Sequence, residues 1–314
     1  MRGSNPYIDE VKYKPATQKY KITFLPSGKI VEVDAIPDTE KSLPVRFLKF
    51  VMLMFLGLHL AAPARARNHD TGFLDRTITL QGEVFKYQVF VPDNWSPRQK
   101  WPVILFLHGA GERADDGMQQ TDVGIGTEIR VDRTRIPAIV VMPQCRKNLW
   151  WIQEPMQNLA IATLEAATRE FHGDTQRTYL TGISMGGYGT WRLAEKYPGR
   201  FAALAVICGG LRPPAATLKA HPELVNLTPA DNLKSYSEAA AKIGKVPVWI
   251  FHGSDDEIVP VTESQRMQGA MKQIGAEVHY TEYPGVKHVS WYKAYDEPKL
   301  FPWLLSKTLP VKSR

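Results

Sequence analysis

Cysteine is scarce in this chain of 314 residues: Cys145 and Cys208 are the only two. Two thiols cannot supply a four-ligand zinc or iron–sulfur site, and neither belongs to a Cys-x-x-Cys pair. Cys208 closes the apolar run Ala205-Val206-Ile207. The plain reading is two buried thiols, with a disulfide left open for an exported domain. Long apolar runs are missing as well. The most apolar stretch, Phe50–Leu60, has 11 residues, far fewer than the ~20 that cross a bilayer comfortably. Beyond residue 66 no basic run with interleaved aromatics occurs, so a nucleic-acid partner has weak support and none is expected. Internal repeats and low-complexity tracts are also lacking.

Hydrophobic residues make up 44% and charged residues 23%, an ordinary balance for a soluble globular chain that argues against wholesale disorder. The length allows one large core or two modest ones. The net charge of +7 is unevenly spread. Residues 1–66 carry 10 Lys and Arg against 6 Asp and Glu, so more than half of the excess precedes the part that carries the chemistry.

The apolar stretch follows Arg46 and Lys49 and precedes Ala64-Arg65-Ala66. A basic flank, a short apolar core and an A-x-A site form the pattern of a secretory signal peptide. Cleavage would leave Arg67 first, and the expected location is periplasmic or secreted. A signal peptide should start near residue 1, however. Counting from Val45 gives a signal of normal proportions, residues 45–66, if translation starts there and residues 1–44 are a misassigned extension. In the other reading the whole chain is made and residues 47–62 anchor it to a membrane uncleaved. Within residues 1–44, Lys21–Leu25 and Lys29–Val33 flank Pro26-Ser27-Gly28 and read as a β-hairpin. It resembles the first hairpin of plant-type ferredoxins without their cysteine ligands, and no function attaches to it.

From Arg76 onward, strand and helix patterns alternate. Thr77–Leu80 and Val84–Val91 read as paired strands around Gln81-Gly82. Val103–Leu107 is a continuous apolar run, as expected for a strand covered on both faces. Ala138–Met142, Thr178–Thr181, Ala203–Cys208 and Val246–Phe251 repeat that form, and Val278–Tyr283 is a later strand. Helical stretches lie between, notably Leu159–Phe171 and Gly187–Tyr197, the latter stopped by Pro198. This alternation predicts an α/β fold over residues 67–314, with a mostly parallel sheet and helices on both faces.

The decisive motif is Gly182-Ile183-Ser184-Met185-Gly186. It stands between a strand and a helix, where flanking glycines permit the tight turn that raises a serine above the sheet edge. Serine is a weak nucleophile and needs a base held by a third group. In this arrangement the order along the chain is Ser, then Asp or Glu, then His. Of eight histidines, that order leaves His279 and His288. His279 lies inside a strand, whereas His288 lies in the loop past its end, where active-site groups gather. His288 is therefore the expected base. The acid should follow the strand ending at Phe251, where Asp255 and Asp256 both stand. Asp256 is the expected acid and Asp255 the alternative, a solvated turn residue otherwise. A tetrahedral oxyanion needs preset N–H donors. Met185, directly after the serine, should give one. His108-Gly109-Ala110-Gly111 should give the other, from Ala110 first and Gly111 next. His108 and His252 read as structural residues. Trp150, Trp151 and Trp291 are candidate substrate-binding residues, with core packing as the bland alternative. Residues 211–245 form a long connection that could partly cover the site.

Pro102–Gly111 with Glu112-Arg113 behind it, Met142–Cys145, Gly182–Gly189 and His252–Pro260 together resemble α/β-hydrolases. The likeness covers about residues 73–305. It is to the branch that groups phospholipase/carboxylesterases, dienelactone hydrolases and feruloyl-esterase or "predicted peptidase" proteins. The resemblance implies the α/β-hydrolase fold, a catalytic triad, no cofactor and no metal, and a small-molecule ester as substrate. Asp256 matches the family pattern H-G-x-x-D-x-x-V-P. Dienelactone hydrolases proper use a cysteine nucleophile where this chain has Ser184, which speaks against that activity. The expected reaction is hydrolysis of a carboxylic ester through a Ser184 acyl-enzyme. A serine peptidase and a non-catalytic binding protein on the same fold are the alternatives.

Overall fold

The computed structural model describes residues 20–24, 30–35 and 70–310. The expected signal or anchor segment, residues 45–66, lies outside the described residues. Among the described residues no helix is long and apolar enough to cross a membrane. The chain divides into two units, Met1–Arg65 and Ala66–Arg314. In the first, β1 (Tyr20–Phe24) pairs antiparallel with β2 (Ile30–Ala35), Tyr20 opposite Ala35. This is the hairpin that the sequence pattern predicts.

The second unit opens with β3 (Gly72–Leu80) and β4 (Glu83–Val91), antiparallel neighbours with Leu80 opposite Glu83. Their two-residue turn puts Gln81 at φ 52° and Gly82 at φ 84°, the left-handed pair that a tight hairpin requires. Then follow β5 (Trp101–Leu107), α1 (Ile125–Val131), β6 (Ile139–Pro143), α2 (Glu154–Glu170), β7 (Gly173–Ile183) and α3 (Met185–Lys196). The chain continues with β8 (Ala203–Ile207), α4 (Ala215–Ala220), α5 (Leu233–Ile243), β9 (Val248–Gly253), α6 (Val261–Gln273), β10 (Val278–Tyr283), α7 (Trp291–Asp296) and α8 (Leu300–Leu305). The sheet order is β3-β4-β6-β5-β7-β8-β9-β10. From β6 to β10 every neighbouring pair is parallel, and β4 alone runs against the rest, antiparallel to both β3 and β6.

Both faces of this sheet are covered, as the unbroken apolar runs require. Side chains alternate between them with the strand period of two. Val103, Leu105 and Leu107 enter a core with Leu159 and Leu164 of α2, Leu193 of α3, Tyr236 of α5 and Met267 of α6. Ile104 and Phe106 enter the opposite core with Ile129 of α1, Tyr295 of α7 and Leu304 of α8. Strand β5 is buried along its whole length. The chain steps from β5 to β6 on one side and returns to β7 on the other. A crevice opens at such a switch point, at the carboxyl ends of the strands. The loops after β5 and β7 meet there.

Candidate active site

Ser184 follows the last residue of β7 and precedes the first residue of α3. Its backbone is at φ 49°, ψ −117°, a conformation that costs a non-glycine residue about 1–3 kcal/mol and persists only where its surroundings enforce it. The enforcement is visible. The Ser184 N–H donates to Ile207 O of β8 at 2.9 Å, while its own carbonyl accepts from Gly187 and Tyr188 N–H. A Cβ at Gly182 would lie 2.3 Å from Gly186 O, and one at Gly186 would lie 1.9 Å from Leu107 O. These two glycines let α3 turn away immediately and pack against β5. The strain at Ser184 lifts its side chain off the sheet.

His288 stands five residues past the end of β10, and Asp256 three past the end of β9. The structure brings both to Ser184. His288 Nε2 is 2.8 Å from Ser184 Oγ, and His288 Nδ1 is 2.7 Å from Asp256 Oδ2. The Asp256 side chain is fully buried. Its Oδ1 accepts from Ile258 and Val259 N–H, each at 2.9 Å, and His252 Nε2 lies 3.1 Å from Oδ2. Burial alone would favour the neutral acid. The hydrogen bonds from His252, His288 and the Val259 N–H outweigh it and hold the carboxyl well below the usual carboxylate range. His252 is itself buried, with Val259 O at 3.0 Å and Ser264 Oγ at 2.7 Å. It fixes the acid loop, as its structural reading requires. Asp255 is exposed, and His279 pairs with Glu277 at 3.3 Å. Cys208 lies beneath the centre: its sulfur, an Asp256 oxygen and a His288 nitrogen fall within 4.8 Å of one another. Burial pushes its thiol up, toward the neutral form. Cys145 is likewise buried, and both are free.

The loop after β5 is held by His108. This residue is completely buried; its Nε2 accepts from Cys145 N–H at 2.9 Å, so Nδ1 carries the proton donated to Gly109 O at 2.7 Å. Burial pulls its pKa down to about 4, which suits a neutral brace. The next residues put Ala110 at the start of a short 3-10 turn, Ala110–Glu112, as Met185 starts α3. First residues of helices have no carbonyl one turn earlier for their N–H groups. Both residues line the pocket that contains Ser184.

That pocket has a volume of about 400 Å³, within the usual range for small-molecule sites. Of the three tryptophans, only Trp150 lines it. Trp151 is 1% exposed and donates its indole N–H to His108 O at 3.0 Å, which makes it a core strut. Trp291 meets His288 edge-on, with centroids 5.6 Å apart, and backs the imidazole from outside the pocket lining. The predicted cover is present. Pro213, Pro214, Thr217 and His221, all from the 211–245 connection, form one wall. Glu263 of α6 holds the start of that connection: it accepts from Leu211 N–H at 2.9 Å, Arg212 N–H at 3.1 Å and the Tyr236 hydroxyl at 2.6 Å. Arg113, Tyr188 and Ile258 also line the pocket, and sequence reasoning missed all three. Arg113 was visible only as part of a motif, and Tyr188 only as a helix residue.

The Esterase family model matches residues 79–295, well over half of the chain. The chain belongs to that family. This esterase is 26% identical over 257 residues to a poly(3-hydroxyoctanoate) depolymerase of Pseudomonas fluorescens, covering 73% of this chain and 85% of that one. It is 29% identical to feruloyl esterase B of Thermothelomyces thermophilus, over 76% and 86% of the two chains. A solved thermostable esterase superposes with a TM-score of 0.63 at 30% identity, over 75% of this chain and 63% of that one. The fold is that of the α/β-hydrolases, and the activity class is carboxylic ester hydrolysis.

Proposed function

We propose that this esterase works by two-step acyl transfer through a Ser184 acyl-enzyme. The observation that carries the reading is the unbroken chain Ser184 Oγ, His288, Asp256, at 2.8 and 2.7 Å. Ser184 Oγ attacks the ester carbonyl carbon while His288 Nε2 takes its proton. The electron pair of the carbonyl moves onto oxygen, where the N–H groups of Met185 and Ala110 stabilise it. The tetrahedral adduct collapses, the C–O bond to the alcohol breaks, and His288 returns the proton to the departing oxygen. Water then attacks the acyl-enzyme with the same base, and the carboxylic acid leaves. Asp256 stays ionised throughout; it fixes the Nδ1–H tautomer of His288 and stabilises the imidazolium. His252 keeps that carboxylate from turning.

The substrate group lodges against Trp150, Pro213, Pro214 and Ile258. This wall suits an apolar acyl or aryl group, in keeping with a feruloyl-esterase-like preference. Trp151 and Trp291 support the site through His108 and His288. Residues 45–66 act as the export signal or anchor, which places the enzyme in the periplasm or outside the cell. N-terminal sequencing from the native host tests this: a chain starting at Arg67 supports cleavage, and an intact Met1 in the cytoplasmic fraction rules export out. The catalytic reading is tested by a fluorophosphonate probe and by comparing short aryl esters with aminopeptidyl amides. Labelling of wild type but not of Ser184→Ala, with ester preference, supports it. Absent labelling favours a binding protein, and amide preference a peptidase.

A further inference from the structure

Arg113 is the charged residue that the acyl-transfer scheme leaves unused. It is the one Lys, Arg, Asp or Glu in the lining of the Ser184 pocket. Its Nε donates to Ala110 O at 3.0 Å, Nη1 reaches Leu149 O at 3.5 Å, and the guanidinium lies 5.5 Å from the centre of the Trp150 ring. Among the described residues Nη2 finds no hydrogen-bond partner and no carboxylate pairs with the group. The neighbouring Glu112 does not neutralise it: its Oε2 is turned to His108, 3.9 Å from Nδ1, and would lie 3.0 Å from a Cβ at Gly109. An arginine stays charged at all working pH and presents a planar fork that matches a carboxylate. The remaining wall is largely apolar. A ligand that matches Arg113 and this wall is apolar along its length and anionic at one point.

We infer that the pocket selects esters that also carry a free carboxylate, bound by Arg113, on the portion that lies against Trp150. The inference rests on the ester-hydrolase reading of Ser184. Two substrate pairs test it, each comparing a carboxylate with its neutral amide. They are 4-carboxyphenyl against 4-carbamoylphenyl acetate, and monomethyl adipate against its terminal carboxamide. Wild type should prefer the acid by about 10-fold in kcat/KM in at least one pair, as a charge-assisted but part-exposed contact allows. The preference should shrink as salt is added. Arg113→Gln should abolish the preference and Arg113→Lys restore part of it, read as the ratio of acid to amide kcat/KM and not as either rate alone. Wild type without preference in either pair overturns the inference. So does an Arg113→Gln variant that slows acid and amide equally, because that outcome reduces Arg113 to a brace for Ala110. If neither member of a pair is hydrolysed and the fluorophosphonate does not label Ser184, the ester-hydrolase reading itself has failed.

Discussion

The reacting groups and the wall that faces them are built by different means. Ser184, Asp256 and His288, and the brace His108, each stand within five residues of the carboxyl end of a strand, on β7, β9, β10 and β5 respectively. Their positions are inherited from a sheet that is buried on both faces. The wall from Pro213 to His221 belongs to a connection that leaves the sheet after β8 and returns only at β9. It is held by Leu211, Leu218 and Leu224, which reach the core from outside the sheet, and by polar ties, chiefly Glu263 on Leu211 and Arg212. Damage to the first region should therefore strike turnover, and damage to the second should strike substrate affinity.

The largest effects test the first half of that contrast. Ser184→Ala and His288→Ala should each lower kcat by about three orders of magnitude or more. Asp256→Asn should be nearly as severe, since an amide N–H facing Nδ1 drives the imidazole proton onto Nε2, the atom that must accept from Ser184, whereas Asp255→Asn should be mild. Stopped assays on purified variants read all four, and a reversal of the two aspartate effects would move the acid role to Asp255.

A stability effect of intermediate size tests whether the rigid region is tied to pH. His108 has a folded pKa of about 4, below its ordinary value of about 6.5. A depressed value means that the unfolded chain takes up the proton first as pH falls. Its stabilising contribution is full above about pH 6.5 and is lost as pH falls toward 4, by about 3 kcal/mol. Urea unfolding between pH 7 and pH 4 checks it. His108→Asn should be less stable at pH 7 and should show a shallower decline over that window. Equal slopes would show that His108 is not the linked group.

The smallest effect tests the wall. Glu263→Gln removes the anion, so the two backbone N–H groups lose their charge-assisted bonds and the Tyr236 hydroxyl must turn from donor to acceptor, and the connection loosens. KM for a substrate that fills the pocket should rise roughly 3- to 10-fold, with kcat within about 2-fold. Acetate esters too short to reach the wall should be unaffected. An equal fall in kcat for both would mean that Glu263 braces the catalytic loops instead.

This division also explains what the sequence made legible. The elbow and the histidine past the last strand were readable because each has a local signature: glycines that a Cβ would wreck, and a position just beyond an apolar run. Asp256 could be preferred over its neighbour only by resemblance. The structure adds the reason, two backbone N–H groups aimed at Oδ1 and two imidazoles at Oδ2. Adjacent tryptophans carry no such label. Trp150 and Trp151 share a loop and a composition, yet one lines the pocket and the other is packed on His108. Which way a loop side chain points is decided by partners far away along the chain. Arg113 escaped for the same cause, since its significance lies in the absence of a carboxylate that could have come from anywhere.

The sheet register around the wall has one more consequence. Strands β8 and β9 are parallel, with Leu204 beside Val248 and Ile207 beside Phe251, so the forty or so residues between them run from the carboxyl end of one strand back to the amino end of its neighbour, a fixed span about one short strand long. Closing a longer loop between fixed ends costs little, only about 0.6 kcal/mol for each doubling of its length. The connection is thus a place where insertions and deletions are cheap, while the reacting groups beside it stay in register. New substrate ranges can be acquired there by changing length alone, with the chemistry untouched.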